Sequence, residues 1–586
     1  MKQQIQSFFK KEYSDIDFDV FYPPRSAGRG RKASPAGGFG DYSTNAVFVL
    51  AKKTGKAPKD IARELVEKLK KEFSEEFKEI KVEKGGFINF YLDPDFLRKR
   101  LEIIYKNKAN YGKSEVGKGQ TALVEYSQPN IAKIMHVGHL RSTLLGDALA
   151  NIFENLGYKT VRWNYLGDWG TQFGNLIAAY KLWGGKKEVE ENPIETLNNL
   201  YVRFHVQLKS NPGFKAWGRE EFKKLEEGDK ENKKLWQWFR EESLRDFNKI
   251  YEILGVKFDT MISESFFEKD LKPLISELLD KGIAKTSEGA VVVPLDNYGL
   301  PPALIRKKDG TSLYLTRDIA NLRFRVKEYK PSKILYVVGN EQSLHFQQLF
   351  KIAEILGLVQ GEGSPVRGNR LVQTKLIHVK FGLILGKDKR KMSTREGRVI
   401  QMIELIEKAI ELAGKIVEEK NPELSEKEKE EVAKAVGVGA LKYFILKEHR
   451  NTDIVFDWDK MLDFTGASGP YLQYTYARLR SILNKAGEIG KADFRALTEE
   501  IELAIIGKLL NFTEVIISSS ENYLTNNLAL YLYELANLAN KFYEAIGILK
   551  DENEKRRNGR LVLIDVLSTV LRKGLNTLGI RVLEKI

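Results

Sequence analysis

The spacing of hydrophobic positions predicts three structural regions along the chain. In residues 1–115, apolar side chains recur at helical spacing from Ile61 to Phe73. Val82–Leu92 then has the pattern of a hairpin around Gly85-Gly86. This first region is predicted to form an N-terminal α+β domain.

The second region, residues 116–400, alternates apolar runs typical of strands with helical patterns. Thr121–Tyr126 and Thr160–Leu166 flank a helical pattern that starts at His139 and ends before Gly157. A strand, a helix and a second strand in this order form a βαβ unit with a parallel sheet. The second region is therefore predicted to be an α/β domain.

Helical patterns dominate the rest of the chain. Residues 181–290, approximately, are charged and helical, which is typical of an insertion into the sheet domain. The sheet resumes at Ile334–Val338, followed by a helix from about Ser343, and at Leu376–Leu385. Residues 401–586 are predicted to form an all-α C-terminal domain.

Composition narrows the classes of site and partner. The 586 residues include no cysteine, which excludes disulfides and thiolate metal sites, and the six histidines show no spacing that predicts a metal site. No apolar run approaches the roughly 20 residues of a membrane helix, so we expect a cytoplasmic protein without a membrane partner. The net charge of +15 favours a polyanionic partner, although a well-solvated surface also explains it.

An arginine-rich loop spans Pro23–Gly40. It is either a plain linker or a contact for RNA phosphates, and both interpretations stay open. The basic residues that would make the contact are Arg25, Arg29, Arg31 and Lys32.

The turn His136-Val137-Gly138-His139 has the composition of an anion-binding helix start. Unpaired backbone N–H groups and the positive end of the helix dipole attract phosphates there. Gly138 lets a flat ligand approach the backbone, and the two imidazoles offer ring N–H donors. The turn is predicted to bind a nucleotide, with two incidental histidines as the alternative.

Seven motifs in one order resemble the arginyl-tRNA synthetases, a branch of the class I aminoacyl-tRNA synthetases. The turn above is similar to the His-Ile-Gly-His signature of that class. The motifs cover nearly the whole chain: Gly40–Asn45, Ser127–Ser142, Gly167–Gly174, Asp309–Asp318, Gly339–His345, Lys391–Gly397 and Ser468–Tyr474.

The resemblance implies a Rossmann-type catalytic domain between an N-terminal domain that contacts tRNA and a helical anticodon-binding domain. It implies ligation of L-arginine to tRNA(Arg) through an arginyl-adenylate, with ATP and Mg²⁺ and transfer to the 2′-hydroxyl of the terminal adenosine. The arginine carboxylate is ionised at neutral pH, so the first step needs alignment and charge stabilisation rather than a general base. A monomer that binds tRNA before the adenylate forms is the family expectation.

The second class signature, Lys-Met-Ser-Lys-Ser, is altered in this chain, where Thr394 replaces the second lysine. Adenylate formation spreads negative charge over the phosphates and requires positioned cations. Arginyl enzymes with this change resemble one another in carrying a lysine before the first signature, where Lys133 stands. We hypothesise that Lys133, Lys391 and Arg395 share the cationic role; a solvated Lys133 is the alternative. The predicted catalytic residues are His136, His139, Lys133 and Lys391, and the predicted ATP-binding residues are His136, Gly138, His139, Lys391, Met392, Ser393 and Arg395.

The resemblance implies an arginine pocket in which Glu125 and Asp318 form the forked hydrogen bonds that a guanidinium requires. A structural salt bridge from Glu125 to a nearby arginine is the alternative. His345 and His378 either line the ATP site or pack structurally. The predicted arginine-binding residues are Glu125, Ser127, Asn130, Tyr314, Asp318 and Gln342.

Anticodon contacts are expected by resemblance on one segment of the helical domain. Aromatic rings and a cation there suit splayed bases, although helix packing explains the aromatics equally well. The terminal Arg581–Ile586 departs from the tail usual in the family. The predicted tRNA-binding residues are Tyr471, Gln473, Tyr474 and Arg478.

Three other functions stay open. A synthetase for another cationic amino acid, with lysine the nearest, would share the carboxylates. A catalytically inactive RNA-binding paralogue is suggested by Thr394, although the intact His136, Gly138, His139 and Lys391 argue against it. A smaller adenylate-forming nucleotidyltransferase would share the turn without needing the C-terminal helices.

Overall fold

A computed structural model describes most of the chain. It covers residues 1–14, 16, 18–22, 40–83, 86–308, 310, 313–359, 374–390, 392 and 400–586. The predicted site residues Lys391, Ser393 and Arg395 lie outside these residues, as do Thr394 and the basic side chains Arg25, Arg29, Arg31 and Lys32.

The N-terminal region is an α+β domain, as predicted. Its antiparallel sheet has the strand order β1-β2-β4-β3. The predicted hairpin is confirmed, but its first strand starts at Phe77 because the buried Phe77 and Ile80 belong to the same strand. The elements are α1 (Lys2–Glu12), β1 (Val20–Phe21), β2 (Tyr42–Thr44), α2 (Ala46–Thr54), α3 (Pro58–Glu72), β3 (Phe77–Val82), β4 (Ile88–Leu92) and α4 (Pro94–Lys106).

The predicted βαβ unit follows. It consists of β5 (Thr121–Glu125), α5 (Val137–Asn155) and β6 (Lys159–Trp163), and α6 (Thr171–Trp183) comes next. Helix α5 begins two residues before the predicted His139, because His136 caps it.

The predicted helical insertion is observed and is followed by a small antiparallel sheet that the sequence patterns did not predict. Trp236 donates its indole N–H to the Asp168 carbonyl at 2.8 Å, and Arg240 Nε donates to the fully buried Asp168 carboxylate at 3.2 Å. These contacts attach the insertion to the sheet domain. The elements are α7 (Lys186–Glu191), α8 (Pro193–Ser210), α9 (Pro212–Glu227), α10 (Lys230–Leu254), α11 (Glu268–Asp280), β7 (Lys285–Ser287), β8 (Ala290–Val293) and β9 (Ala303–Arg306).

The central sheet is completed by later strands and has the all-parallel order β11-β10-β5-β6. The single strand predicted over Leu376–Leu385 is wrong. The chain leaves the central sheet after His378, and the next strand pairs elsewhere. The elements are α12 (Tyr314–Tyr329), β10 (Lys333–Tyr336), α13 (Ser343–Ile355), β11 (Lys375–His378) and β12 (Ile384–Leu385).

The C-terminal region is helical as predicted, except for a two-residue strand that pairs with β12. Lys442 Nζ donates to the Gly579 carbonyl at 2.6 Å, and Asn155 of α5 donates to Thr577 Oγ1 at 3.0 Å. Helix α5 therefore joins the sheet domain to the helical domain. The elements are α14 (Met402–Lys420), α15 (Glu426–Leu446), β13 (Ile454–Val455), α16 (Trp458–Met461), α17 (Gly469–Ala486), α18 (Glu500–Leu510), α19 (Phe512–Asn522), α20 (Thr525–Ala545) and α21 (Glu554–Thr577).

Within the described ranges, no helix combines the length and the apolar character needed to cross a bilayer.

Candidate active site

The carboxyl ends of the four parallel strands form one edge of the central sheet. The strands end at Glu125, Trp163, Tyr336 and His378, which are paired side by side across the sheet. Ligands of open parallel sheets bind at this edge. Most of the predicted substrate residues lie on the segments that follow it.

The loop after β5 has a strained backbone. Ser127, Gln128 and Ala132 have φ values of 75°, 53° and 58°, which side-chain-bearing residues rarely adopt. Two residues of α10 hold it: the Tyr251 hydroxyl lies 2.7 Å from Ser127 Oγ, and Ser243 Oγ accepts from the Ala132 N–H at 3.0 Å. The insertion therefore fixes the loop that carries the predicted substrate contacts.

The His136–His139 turn caps its own helix. Gly138 N–H donates to His136 Nδ1, and His136 N–H donates to His139 Nδ1, both at 3.1 Å. The Val137 and His139 N–H groups donate to the carbonyls of Ile400 and His136. The prediction that these N–H groups are unpaired is therefore wrong for this structure. A Cβ at position 138 would lie 2.9 Å from the His136 ring, so a side chain there would require that ring to shift.

The two imidazoles are brought together, with ring centroids 4.1 Å apart. Because each Nδ1 accepts a hydrogen bond, we assign the ring proton to Nε2 in both. Burial lowers the pKa of His139 to about 3, and His136 adds to the shift. His139 is therefore neutral at physiological pH, and the turn can offer Nε2–H donors and the helix dipole to a phosphate.

Glu125 is 4% exposed and is already paired by the chain itself. Its Oε2 forms an ion pair with Arg325 Nη2, and Gln128 Nε2 donates to its Oε1. The Arg325 guanidinium lies 4.2 Å from the Trp163 ring centroid and is fully buried. Burial raises the pKa of the Glu125 carboxyl, and Arg325 opposes the shift. Glu125 therefore forms the structural salt bridge to a nearby arginine that was the alternative to a substrate contact.

Asp318 and Tyr314 are four residues apart and share one face of the first turns of α12. His345 Nε2 and Asp318 Oδ2 are 2.7 Å apart. Burial lowers the pKa of His345, but the hydrogen bond and charge of Asp318 outweigh it and leave that pKa raised. Tyr314 is 60% exposed and Gln342 is also exposed, so both are accessible to a ligand.

Glu264 is a buried carboxylate that the sequence patterns did not indicate. It begins a short 3-10 turn after α10 and is 8% exposed. Its Oε2 has no hydrogen-bond partner among the residues described. Burial raises its pKa to about 8; Arg317 opposes the shift, and Asp318 and Asp168 add to it. Only the three-dimensional fold brings Glu264 close to Asp318, which lies 54 positions later, so no motif could reveal it.

Ser127 and Asn130 are placed differently from each other. Ser127 is buried, and its hydroxyl contacts Tyr251 and accepts from Thr143 Oγ1 at 3.0 Å. Asn130 is partly exposed, and a Cβ on Gly167 would lie 2.0 Å from its Oδ1. Gly167 therefore makes room for the Asn130 side chain, while the Ser127 hydroxyl is occupied.

Lys133 is partly buried beside the insertion. Its Nζ lies 5.2 Å from the ring centroid of Tyr201 on α8. Burial lowers the pKa of Lys133. The solvated alternative for Lys133 does not fit this environment. Met392, from the second signature, packs against the hydrophobic core.

His378 is a packed side chain rather than a surface donor. Its Nε2 lies 3.1 Å from the Val338 carbonyl, and its ring centroid lies 4.5 Å from that of Phe346. Burial lowers the pKa of His378. The structure thus supports the packing alternative for this residue.

The predicted tRNA-binding residues on α17 divide into two groups. The Arg478 guanidinium lies 4.8 Å from the Tyr474 ring centroid and 5.0 Å from that of Tyr543 on α20, and both rings are exposed. Tyr471 donates to Asn537 Oδ1 at 2.6 Å beside this group. Gln473 is fully buried.

The Gln473 amide is committed to the fold. It donates to the backbone carbonyls of Ala435 at 2.9 Å and Arg581 at 2.7 Å. A nucleobase cannot reach it without displacing these bonds, so the prediction of a tRNA contact at Gln473 does not fit the structure.

Family models match three parts of the chain. Residues 100–458 match "tRNA synthetases class I (R), catalytic domain", residues 472–586 match "DALR anticodon binding domain", and residues 4–92 match "Arginyl tRNA synthetase N terminal domain". The matched segments follow the same order as the three structural regions.

Similar proteins cover nearly the whole chain. Arginine–tRNA ligase of Clostridium acetobutylicum is 41% identical over 94% of this chain and 95% of its own length, and that of Clostridium botulinum (strain Alaska E43) is 40% identical over 98% of both. Crystallised arginyl-tRNA synthetases of Plasmodium falciparum and Thermus thermophilus share the fold with TM-scores of 0.80 and 0.77. Their identities are 27% and 26%, over 100% of this chain and 99% of theirs.

Proposed function

The chain belongs to the arginyl-tRNA synthetases of class I, and from that premise we propose how its residues ligate L-arginine to tRNA(Arg) at the expense of ATP. Family membership sets aside the lysine enzyme and the small nucleotidyltransferase. The inactive-paralogue alternative is addressed by the experiment below.

The arginine side chain binds at Asp318 and Glu264, with Glu125 behind them. The observation that carries this proposal is the buried Glu264 Oε2, which has no hydrogen-bond partner in the described structure and is close enough to Asp318 for that charge to raise its pKa. A guanidinium supplies both the charge and the forked donors that Glu264 Oε2 lacks. Because Arg325 already balances Glu125, the substrate cation is met by Asp318, which also contacts His345, and by Glu264, which loses its proton when arginine binds. Tyr314 and Gln342 line the open side.

The α-amino and α-carboxylate groups of arginine bind near Asn130 and the Ser127 backbone. The strained loop directs this end of the substrate toward the His136–His139 turn. The carboxylate of the bound arginine then attacks the α-phosphorus of ATP, forming the arginyl-adenylate and releasing pyrophosphate. Alignment and charge stabilisation supply the rate, since the nucleophile is already ionised.

ATP binds at the start of α5, where His136 and His139 donate from Nε2 and Gly138 allows close approach. Lys133 contributes positive charge, together with Lys391 and Arg395 of the second signature, which also includes Met392 and Ser393. Mg²⁺ enters with ATP, held mainly by phosphate oxygens and water rather than by a protein cage. Mg²⁺ is thus part of the substrate.

The second step transfers arginine to the 2′-hydroxyl of the terminal adenosine of tRNA(Arg). The exposed Tyr474–Arg478–Tyr543 group, with Tyr471 beside it, offers ring faces and a cation to unstacked anticodon bases. The N-terminal domain adds a further tRNA contact. We infer a cytoplasmic monomer, which sedimentation analysis of the free enzyme tests.

Arginine-dependent ATP–pyrophosphate exchange, with tRNA(Arg) present, tests the proposal. The full chain is expected to exchange with arginine but not with lysine, and to charge tRNA(Arg). An Asp318→Asn variant is expected to lose arginine activation while still binding tRNA. Wild-type enzyme that binds tRNA but charges none would instead support an inactive paralogue.

A further inference from the structure

An aromatic ring lies beside the Lys133 ammonium. The Tyr201 ring centroid lies 5.2 Å from Nζ. Within the described ranges no carboxylate forms an ion pair with Lys133, and burial is the cause of its lowered pKa. A cation with this environment keeps its charge available to an anionic ligand.

Tyr201 is itself fixed by the insertion. Its ring centroid lies 4.4 Å from that of His205, one turn later on α8. The same helix is anchored by Phe204, which is fully buried and packs edge-on against Phe214 at 5.2 Å. The position of the Tyr201 ring is therefore set by the packing of the insertion rather than by the catalytic loop.

The backbone of Lys133 is held from a second direction. Ser243 Oγ of α10 accepts a hydrogen bond from the N–H of the preceding Ala132, and the Lys133 N–H donates to the Asn130 carbonyl at 3.3 Å. Two helices of the insertion thus control the lysine: α10 through its backbone and α8 through its ammonium.

A ring face suits a lysine that must bind phosphate. A carboxylate partner would neutralise the ammonium and compete with the nucleotide, whereas a ring attracts it weakly without cancelling its charge. We propose that Tyr201 is a positioning residue that holds the Lys133 ammonium at the nucleotide site, so that helix α8 completes the catalytic site. This inference rests on the proposed role of Lys133 in binding ATP.

The test compares Tyr201→Leu with Tyr201→Phe in the full chain. Arginine-dependent ATP–pyrophosphate exchange with tRNA(Arg) present gives kcat and KM for ATP and for arginine. Without the ring, kcat/KM for ATP is expected to fall roughly threefold to twentyfold while KM for arginine is unchanged. Phenylalanine retains the ring and is expected to restore wild-type values.

A matched control lies on the same helix. Val202 is 51% exposed, so Val202→Ala changes an α8 side chain without touching the described contact and is expected to behave as wild type. Thermal unfolding and tRNA affinity of each variant identify losses that come from misfolding. Tyr201→Met is a second ringless variant for the case in which leucine yields insoluble protein.

A double-mutant comparison tests whether Tyr201 affects ATP use through Lys133. In a Lys133→Ala background, Tyr201→Leu is expected to cause no further loss, because the ring acts only through the ammonium. An additive loss, an unchanged Tyr201→Leu enzyme, or a Tyr201→Phe enzyme as weak as the leucine variant would each overturn the proposal. Normal ATP use by Lys133→Ala would overturn the role of both residues, while charging of tRNA(Arg) by the wild type would leave the proposed function intact.

Discussion

Glu125 and Glu264 are both buried carboxylates close to Asp318, yet among the described residues only Glu125 forms an ion pair with a cation. Glu125 has Arg325 on one oxygen and Gln128 on the other. Glu264 has an oxygen without a hydrogen-bond partner in the described part of the molecule. A buried charge that the chain balances supports the fold, whereas an unbalanced one is costly unless a ligand supplies the partner. The second kind therefore indicates where a cationic substrate binds.

The largest expected effect comes from breaking the internal pair. Arg325→Met leaves Glu125 buried without its cation and is expected to destabilise the protein by about 3–5 kcal/mol. Urea unfolding followed by tryptophan fluorescence measures the shift, since Trp163 contacts the guanidinium. The double variant Arg325→Met/Glu125→Gln removes both charges and is expected to recover most of the stability. Equal loss in the single and double variants would mean that packing, not charge balance, is the cause.

The next effect concerns the substrate rather than the fold. Asp318→Asn keeps the shape of the side chain but removes its charge, and is expected to weaken arginine kcat/KM by about 2–4 kcal/mol, roughly thirtyfold to a thousandfold. ATP–pyrophosphate exchange measures it, and KM for ATP should be unaffected. Asp270→Asn on α11 is the matched control, because Asp270 is exposed. A similar loss in both variants would argue against a specific arginine contact.

Titration of Glu264 is expected to make both protein stability and arginine affinity depend on pH. Its pKa is raised by burial from an ordinary 4.5 to about 8, so the folded protein holds this proton more tightly than the unfolded chain. The corresponding stability is present below pH 4.5 and is lost as the pH rises toward 8. Bound arginine favours the ionised carboxylate, so arginine affinity is expected to increase over the same range.

Thermal unfolding between pH 5 and pH 8 tests this, with and without arginine. Glu264→Gln is expected to flatten the fall in melting temperature and to remove the pH dependence of arginine binding. Parallel curves for the wild type and the variant would show that another group titrates there.

Local elements could be predicted from the sequence, whereas most contacts between residues far apart in the chain could not. The βαβ unit, the helical insertion and the helical C-terminal region follow from hydrophobic periodicity, which is a local property. The four-residue spacing of Tyr314 and Asp318 is likewise local and places both on one helix face. The Arg325–Glu125 pair, the burial of Glu264 and the clamp from α10 depend on residues far apart in the chain. The capping of α5 by the side chains of His136 and His139 was also missed, because residue composition at a helix start does not show which N–H groups the side chains occupy.

The smallest expected effect concerns the helical domain, where one side chain is again bonded within the fold and another is accessible to a ligand. Gln473 and Arg478 lie on one helix, but Gln473 is buried against backbone carbonyls and Arg478 stacks between two exposed rings. Arg478→Gln removes the cation from that stack and is expected to raise KM for tRNA(Arg) roughly threefold to tenfold.

Arginine activation should stay unchanged in Arg478→Gln, because the side chain belongs to the helical domain. Thermal stability should fall less than in the Gln473 variant, since Arg478 loses one partly buried hydrogen bond, from Nη1 to Asn540 Oδ1 at 2.9 Å. Gln473→Leu removes the hydrogen bonds from the buried amide to the Ala435 and Arg581 carbonyls and is expected to lower stability by about 1–3 kcal/mol. Aminoacylation at varied tRNA concentration, together with melting curves, separates the two variants. An increase in KM for tRNA in Gln473→Leu at unchanged stability, with no change in Arg478→Gln, would contradict this assignment. It would show that Gln473 rather than Arg478 contacts the tRNA.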